Sequence, residues 1–398
     1  MERVNEELFE FLEKYRDTDT SNLLFSLHGK DFQFSLPFAI TQLEARRKTQ
    51  SKIPSFLAFD KFLFPDALAA EQATDERVAR FHASLAGRGK RILDLTAGLG
   101  IDSMTLALNG NDLTVCEIVP VKAQMLEHNS QVLGLPSFKV CNTDCQEFLA
   151  QIDENFDIVY VDPARRDSVN RRTYSLEDCV PDILTLLPKI LDIAPVVMVK
   201  VSPVLDITKL IADVPSLELI YAVCVKGECK ELLLQIKRDA RFDGYKVVDL
   251  DDTGIISDIE FSDDELNAQA VQTKIEEEDL SGKYLYEPNA GVMKLPKKSV
   301  LTNKFEGLAQ VSRNTPLFVC DVFYTDFPGR VLKIDKTISK SEFGQLKGSR
   351  YNFVSRNYPL GADELRKKLK VKEGQDKFIY AFRLGPKEKP TLCTAERL

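Results

Sequence analysis

Ile92-Leu93-Asp94-Leu95-Thr96-Ala97-Gly98-Leu99-Gly100-Ile101-Asp102-Ser103 is the stretch that decides the fold. A short apolar run enters a glycine-rich turn, and the turn opens a helix-patterned segment. Glycines let a backbone come close to a ligand, and a helix N-terminus favours negative charge. Gly-x-Gly alone would also suit a dinucleotide. Two residues argue against that. Ser103 stands where the dinucleotide fingerprint has its third glycine. Asp94 ends the strand pointing at the turn, where it would repel a pyrophosphate and attract the cationic end of an amino acid.

Working outward, apolar runs alternate with helical patterns from Lys90 onward: RILDLTA, IDSMTLALN, DLTVCEIV, VKAQMLEHNSQVLG, FKVCNTD, CQEFLAQI, FDIVYVD and later VVMVKVSP. This rhythm predicts a doubly wound, Rossmann-like parallel sheet. LELIYAVCV-KGECK-ELLLQIK reads as a hairpin that closes the sheet with antiparallel strands. Acids stand at the ends of successive strands, where open α/β sheets bind ligands. Glu117, followed by Ile118, closes TVCEIV and is placed to accept both hydroxyls of a ribose. Asp144, followed by Cys145, is placed to hold an adenine amino group through side chain and backbone. Asp162-Pro163-Ala164-Arg165-Arg166 follows the strand FDIVYV.

DLTAGLG, Glu117, Asp144, VDPAR and the terminal hairpin together resemble the class I methyltransferases that use S-adenosylmethionine (SAM). The resemblance implies SAM as cofactor, with Asp94, Thr96, Ala97, Gly98, Gly100, Glu117, Ile118, Asp144 and Cys145 in its site. It implies that the acid-Pro turn sits beside the transferring methyl, which makes Asp162, Pro163 and Arg165 the candidate catalytic residues. The turn reads DPAR and lacks the aromatic that stacks on the target base in amino-methylating versions, which leaves the target atom open. LAAEQATDERVARFHA, GECKELLL, YLYEPNAGVMK, FPGR and RNYPLGADELRKKLK extend the likeness to the bacterial methyltransferases with a C-terminal THUMP-like domain. In related enzymes the segment before the glycine turn folds over SAM, so Gln72 and Thr74 are candidate contacts. Both are equally read as helix-capping polar residues.

The ends of the chain differ in character. Residues 1–88 read as helical, with Thr74 as a helix start before Glu76 and Arg77. We expect the methyltransferase sheet over 89–248. An acidic linker and a small ferredoxin-like α+β unit follow over 249–320, and a basic α+β module over 321–398. The last is read as strand, helix, strand, helix, strand, strand. Net charge is -8, yet residues 281–398 hold 23 Lys and Arg against 12 Asp and Glu. A basic end on an acidic body suggests a polyanionic partner, and the resemblance to enzymes with a THUMP-like domain implies that this partner is RNA of the transfer or ribosomal kind. Arg366, Lys367, Lys368, Lys370 and Lys372 form one cluster, with Tyr351, Phe353 and Tyr358 nearby as stacking surfaces or as core.

Eight cysteines without a C-x-x-C pair, and only three histidines (His28, His82, His128), predict no metal site and reduced thiols in a cytoplasmic protein. No apolar run suits a bilayer, and the acidic start is unlike a signal peptide. Methyl transfer at pyrimidine carbon 5 usually needs a cysteine nucleophile. The strand after the DPAR turn ends VKVSP, with Ser202 instead, and Cys179 is the nearest alternative. Nitrogen or oxygen of an RNA base is therefore the preferred target. Arg165, Arg166 and Lys200 are candidates for holding a phosphate. The alternatives are a methyltransferase for DNA, protein or a small molecule, a non-catalytic RNA-binding protein on the same scaffold, and, more distantly, a dinucleotide oxidoreductase.

Overall fold

The short apolar runs become strands β1 (Arg91–Asp94), β2 (Asp112–Cys116), β3 (Phe138–Cys141) and β4 (Ile158–Val161). Two-residue strands β5 (Ala164–Arg165) and β6 (Cys179–Val180) pair with each other, and β7 (Val196–Val201) returns to the main sheet. The computed structural model describes residues 4–27, 29–165, 176–269, 271, 275, 280–374 and 376–398. The chain divides into two units. One comprises Met1–Ile220, Glu231–Phe242 and Leu250–Gly254, the other Tyr221–Lys230, Asp243–Asp249 and Ile255–Leu398.

Strand β8 (Leu217–Val225) leads through a tight turn into β9 (Glu228–Lys237), and from β9 the strands run β9-β7-β4-β1-β2-β3. Neighbours from β7 to β3 are parallel, whereas β9 runs antiparallel to β7. All four residues of β4 are buried, as expected of a strand covered on both faces. The predicted hairpin forms because Lys226 and Gly227 both take positive φ, +52° and +81°, which matches the twist of the flanking strands. From β1 the chain steps one way to β2 and β3 and the other way to β4 and β7. That reversal opens a crevice at the carboxyl ends of β1 and β4.

Helices α1 (Glu6–Lys14), α2 (Leu23–Ser26), α3 (Leu36–Thr49), α4 (Pro54–Leu57), α5 (Ala67–Gln72) and α6 (Glu76–Ala86) precede the sheet. The aromatic-rich stretch 53–64 supplies Phe56, Phe62 and Phe64 to one core with Ala69, Ala79, Leu99, Ile101 and Met104. The N-terminal helices thus share a core with the glycine turn and with α7 (Ile101–Leu108). Asp75, not Thr74, caps α6, accepting from the Arg77 amide. Helices α8 (Pro120–Val132), α9 (Cys145–Gln151), α10 (Ile183–Ile193) and α11 (Ile207–Asp213) complete the crossovers.

The acidic stretch expected as a linker instead forms β10 (Gly244–Asp251) and β11 (Gly254–Ser262), followed by the short α12 (Asp263–Asn267). Charge masked the pattern here. Val247, Val248 and Leu250 are buried, while the acids of the edge strand β11 face outward, as charges on edge strands commonly do. The basic end follows its predicted element order. It holds β12 (Tyr284–Pro288), α13 (Leu301–Lys304), β13 (Ala309–Ser312), β14 (Thr315–Cys320) and β15 (Gly329–Ile338). After a 3-10 turn at Lys340–Leu346 come β16 (Asn352–Arg356), α14 (Ala362–Leu369), β17 (Lys377–Leu384) and β18 (Lys389–Arg397). These strands form one sheet in the order β13-β14-β12-β15-β18-β17-β16, so the ferredoxin-like and THUMP-like stretches share a sheet. Tyr351, Phe353 and Tyr358 pack partly buried against the core under α14. No helix among the described residues is long and apolar enough to cross a membrane.

Candidate active site

The glycine turn is built by its own backbone. Gly98 (φ +57°) and Gly100 (φ +85°) occupy the left-handed region that side chains disfavour. A Cβ on Gly100 would strike the Leu126 side chain, so packing requires this glycine. A Cβ on Gly98 would meet nothing nearer than the Thr96 carbonyl at 3.9 Å, so the space beside it is open to a ligand. The Ala97 amide donates to the Cys116 carbonyl (3.1 Å) and anchors the turn to the end of β2.

Glu117 completes this cradle. Its two carboxylate oxygens accept from the amides of Gly98 (3.0 Å) and Val119 (2.8 Å). Each oxygen retains a second acceptor position, as the two hydroxyls of a ribose require. Next to it, Ile118 is 61% exposed, an unusual apolar surface at a strand tip and a fitting floor for a purine. Asp144 caps α9 through one oxygen, accepting from Gln146 and Glu147. Its other oxygen makes no hydrogen bond among the described residues, so it can accept from an exocyclic amine. The Cys145 thiol is buried, and burial raises it to about 11, which leaves it neutral.

Asp94 faces inward. Its carboxylate accepts from the Thr96 amide (2.8 Å) and from the Ser103 hydroxyl, and only 2% of it is exposed. Burial raises it to about 7, against the opposing effect of those two bonds. It braces the turn, and the residue that distinguished this turn from a dinucleotide fingerprint is the one that holds it. Thr96 also joins the two functional turns, because its hydroxyl accepts from the Asp162 amide at 2.7 Å.

The acid-Pro turn lies over a network that sequence reading did not anticipate. Lys200, at the end of β7, is 2.7 Å from Asp162, 2.9 Å from the Thr74 hydroxyl and 3.9 Å from Asp102. Thr74 donates to Asp102 at 2.5 Å, and Asp102 meets His82 Nδ1 at 2.8 Å. His82 Nε2 lies 2.6 Å from Glu231 on β9. Tyr160, fully buried, places its hydroxyl 3.4 Å from the same imidazole. Burial alone would lower His82, but the two carboxylates outweigh it and hold the imidazole at about 9, so it is a cation at neutral pH. Asp102 stays ionised: burial raises it, but Lys200 and His82 together carry it well below the ordinary carboxylate range. Burial also raises Asp162, and the Lys200 ammonium opposes that rise.

Thr74 therefore points into this network, and Gln72 sits exposed at the end of α5. Pro163 is buried, and Arg165 closes β5 opposite Cys179 on β6. Arg166 lies outside the described residues. Cys179 is 6% exposed. His82, Asp102 and Glu231 were missed because each reads as an ordinary residue of its element. The available signal was an acid within the apolar run of β9 and a histidine on the buried face of α6. Among the described residues no group of side chains could hold a metal, and all eight cysteines are free thiols.

A parallel sheet closed by an antiparallel strand, a glycine cradle and acids at three successive strand tips define a class I methyltransferase architecture. Comparison with known proteins agrees. Residues 22–168 match the family model "Putative SAM-dependent methyltransferase", residues 284–328 a ferredoxin-like domain and residues 329–397 a THUMP domain-like family. The chain is 30% identical over 184 residues to ribosomal RNA small subunit methyltransferase J of Coxiella burnetii, covering 42% of this chain and 72% of that protein. The protein of that name from Francisella tularensis subsp. novicida is 36% identical over 91 residues, 20% of this chain and 38% of the relative. A solved structure from Porphyromonas gingivalis W83, described as a methyltransferase, shares the fold over 100% of both chains with a TM-score of 0.86 at 22% identity. The chain belongs to the bacterial class I SAM-dependent methyltransferases that carry a C-terminal THUMP-like domain.

Proposed function

We propose that this enzyme methylates a nitrogen or oxygen of a base in small-subunit ribosomal RNA, in the cytoplasm. The observation that carries the reading is the acid-Pro turn, with its carboxylate set on Lys200 and its amide tied by Thr96 to the glycine cradle. The name of the relatives and the basic C-terminal end supply the substrate class.

Glu117 would take the ribose hydroxyls of SAM, Asp144 would accept from its adenine amino group, the Cys145 amide would donate to the adjacent ring nitrogen, and Ile118 would meet the adenine face. The open space at Gly98 admits its amino acid end, over a turn that Thr96, Ala97, Gly100 and the inward Asp94 keep in shape. Gln72, exposed beside the site, is a second contact. Bound there, SAM supplies an electrophilic methyl on a sulfonium. Asp162 and the Pro163 carbonyl accept hydrogen bonds from the nucleophile, which aligns its lone pair and stabilises the positive charge that develops on it. Lys200 opposes protonation of Asp162 and holds its carboxylate in one orientation. Arg165, next along the chain, is suited to a phosphate of the substrate.

Calorimetric titration with S-adenosylhomocysteine tests the cofactor site. Wild-type protein binds it and Glu117→Ala loses at least about tenfold in affinity, the cost of one charge-assisted hydrogen bond. Transfer of labelled methyl from SAM to undermethylated ribosomal RNA, with DNA and protein as parallel acceptors, tests the substrate. Labelling of DNA or protein alone would overturn the RNA reading.

A further inference from the structure

Several cations of the second unit have carboxylate partners. Arg356 and Arg330 meet Glu287, Lys336 meets Glu342, Lys283 meets Asp321, Lys304 meets Glu265, and Arg366 meets Asp363. Lys294, Lys297, Lys298 and Arg313 make no ion pair among the described residues. Lys297, Lys298 and Arg313 line one pocket of about 530 Å³, together with Gln310 and Asn314. That volume lies within the range of sites that hold a nucleotide-sized ligand.

The pocket has a braced rim. Gln310 donates to the carbonyls of Arg313 (3.4 Å) and Thr315 (3.1 Å), which holds the turn between β13 and β14. Asn314 is tied to Glu388 at 2.9 Å. Lys298 is half-buried, and burial together with the neighbouring Lys294 lowers its affinity for a proton. Lys297 and Arg313 are exposed, so the desolvation falls on Lys298, and a charge partly desolvated beside like charges without a counter-anion is costly unless an anion completes it. Neither lysine of α14 is half-buried as Lys298 is. Lys367 and Lys368 are exposed to water, where an unpaired ammonium costs nothing.

We propose that this pocket is a docking site for the phosphodiester backbone of RNA, seated between Lys297, Lys298 and Arg313. This rests on the reading of the substrate as RNA and adds where that RNA is gripped away from the methyl-transfer site. Phosphate contacts of this kind position the nucleic acid without reading its bases.

The test measures binding of a fluorescein-labelled RNA hairpin to the full chain by anisotropy across a salt series. Each phosphate neutralised contributes about 0.7 to 0.9 to the slope of log affinity against log salt. The double variant Lys298→Gln, Arg313→Gln is expected to lower that slope by about 1.5 and to weaken binding at low salt at least about tenfold. Its affinity for S-adenosylhomocysteine should equal that of wild type, which checks that it is folded. The reference variant Lys367→Gln, Lys368→Gln should change the slope by less. An unchanged slope in the pocket variant, with RNA still bound, would overturn the pocket and leave the RNA reading standing. No RNA binding by the wild-type chain would overturn both.

Discussion

Replacing Lys200 by methionine removes a charge and keeps most of the apolar stem. The wild-type ammonium stands 2.7 Å from Asp162 and 3.9 Å from Asp102, with 15% of the lysine side chain and 40% of the Asp162 side chain exposed. Breaking a fully buried pair costs about 3 to 5 kcal/mol, and an exposed pair contributes about 1 kcal/mol or less. This half-open pair belongs between them, at about 2 kcal/mol. Part of that loss appears as unfolding free energy. The rest favours protonation of Asp162, which at 1.36 kcal/mol per pH unit moves the acid limb of the pH–rate profile upward by about one and a half units at most. The assay is kcat/KM for methyl transfer to RNA from about pH 5 to 10, with S-adenosylhomocysteine affinity measured beside it. Activity should fall most at the acid end of that range, by up to about thirtyfold on the acid limb itself, and recover in alkaline buffer, while cofactor affinity changes little. A variant that loses thermal stability but keeps its acid limb in place would refute the argument. Lys200 would then be a structural cation, and Asp162 would not need to be ionised.

Three further outcomes follow from the same geometry. Gly100→Ala must push against Leu126 in a left-handed backbone and should destabilise the fold by about 2 to 4 kcal/mol in urea unfolding. Gly98→Ala meets only open space, so it should cost about 1 kcal/mol of stability yet abolish S-adenosylhomocysteine binding in calorimetry; retained binding would place the ligand elsewhere. His82, raised to about 9 and fully buried, contributes stability that is complete below its unfolded value near 6.5 and is lost as pH rises through about 9. Unfolding free energy should therefore drop by roughly 3 kcal/mol between those limits, and a His82→Gln variant should show a flatter curve; an unchanged wild-type profile would exclude a buried imidazolium.

Most of the fold was legible in the chain, because its determinants are local. Apolar runs bounded by Gly98, Gly227 and the acid-Pro turn specify strands and turns within a few residues of themselves, as does the element order of the basic end. The positions of Glu117 and Asp144, just beyond the carboxyl ends of β2 and β3, were legible for the same reason. The stretch from Gly244 to Ser262 was not, because its net charge obscured the buried run of Val247, Val248 and Leu250.

What only the tertiary structure decided is the set of contacts between distant elements. Asp94 turned inward because Ser103, beyond the glycine turn in α7, donates to its carboxylate. Thr74 became a link between Asp102 and Lys200 because α6, α7 and β7 converge beneath the acid-Pro turn. Glu231 and His82 are separated by 149 residues, and a single hydrogen bond joins them. Propensity and periodicity act over one helical turn or one strand, whereas the pairing of buried charges depends on which elements the sheet order brings side by side.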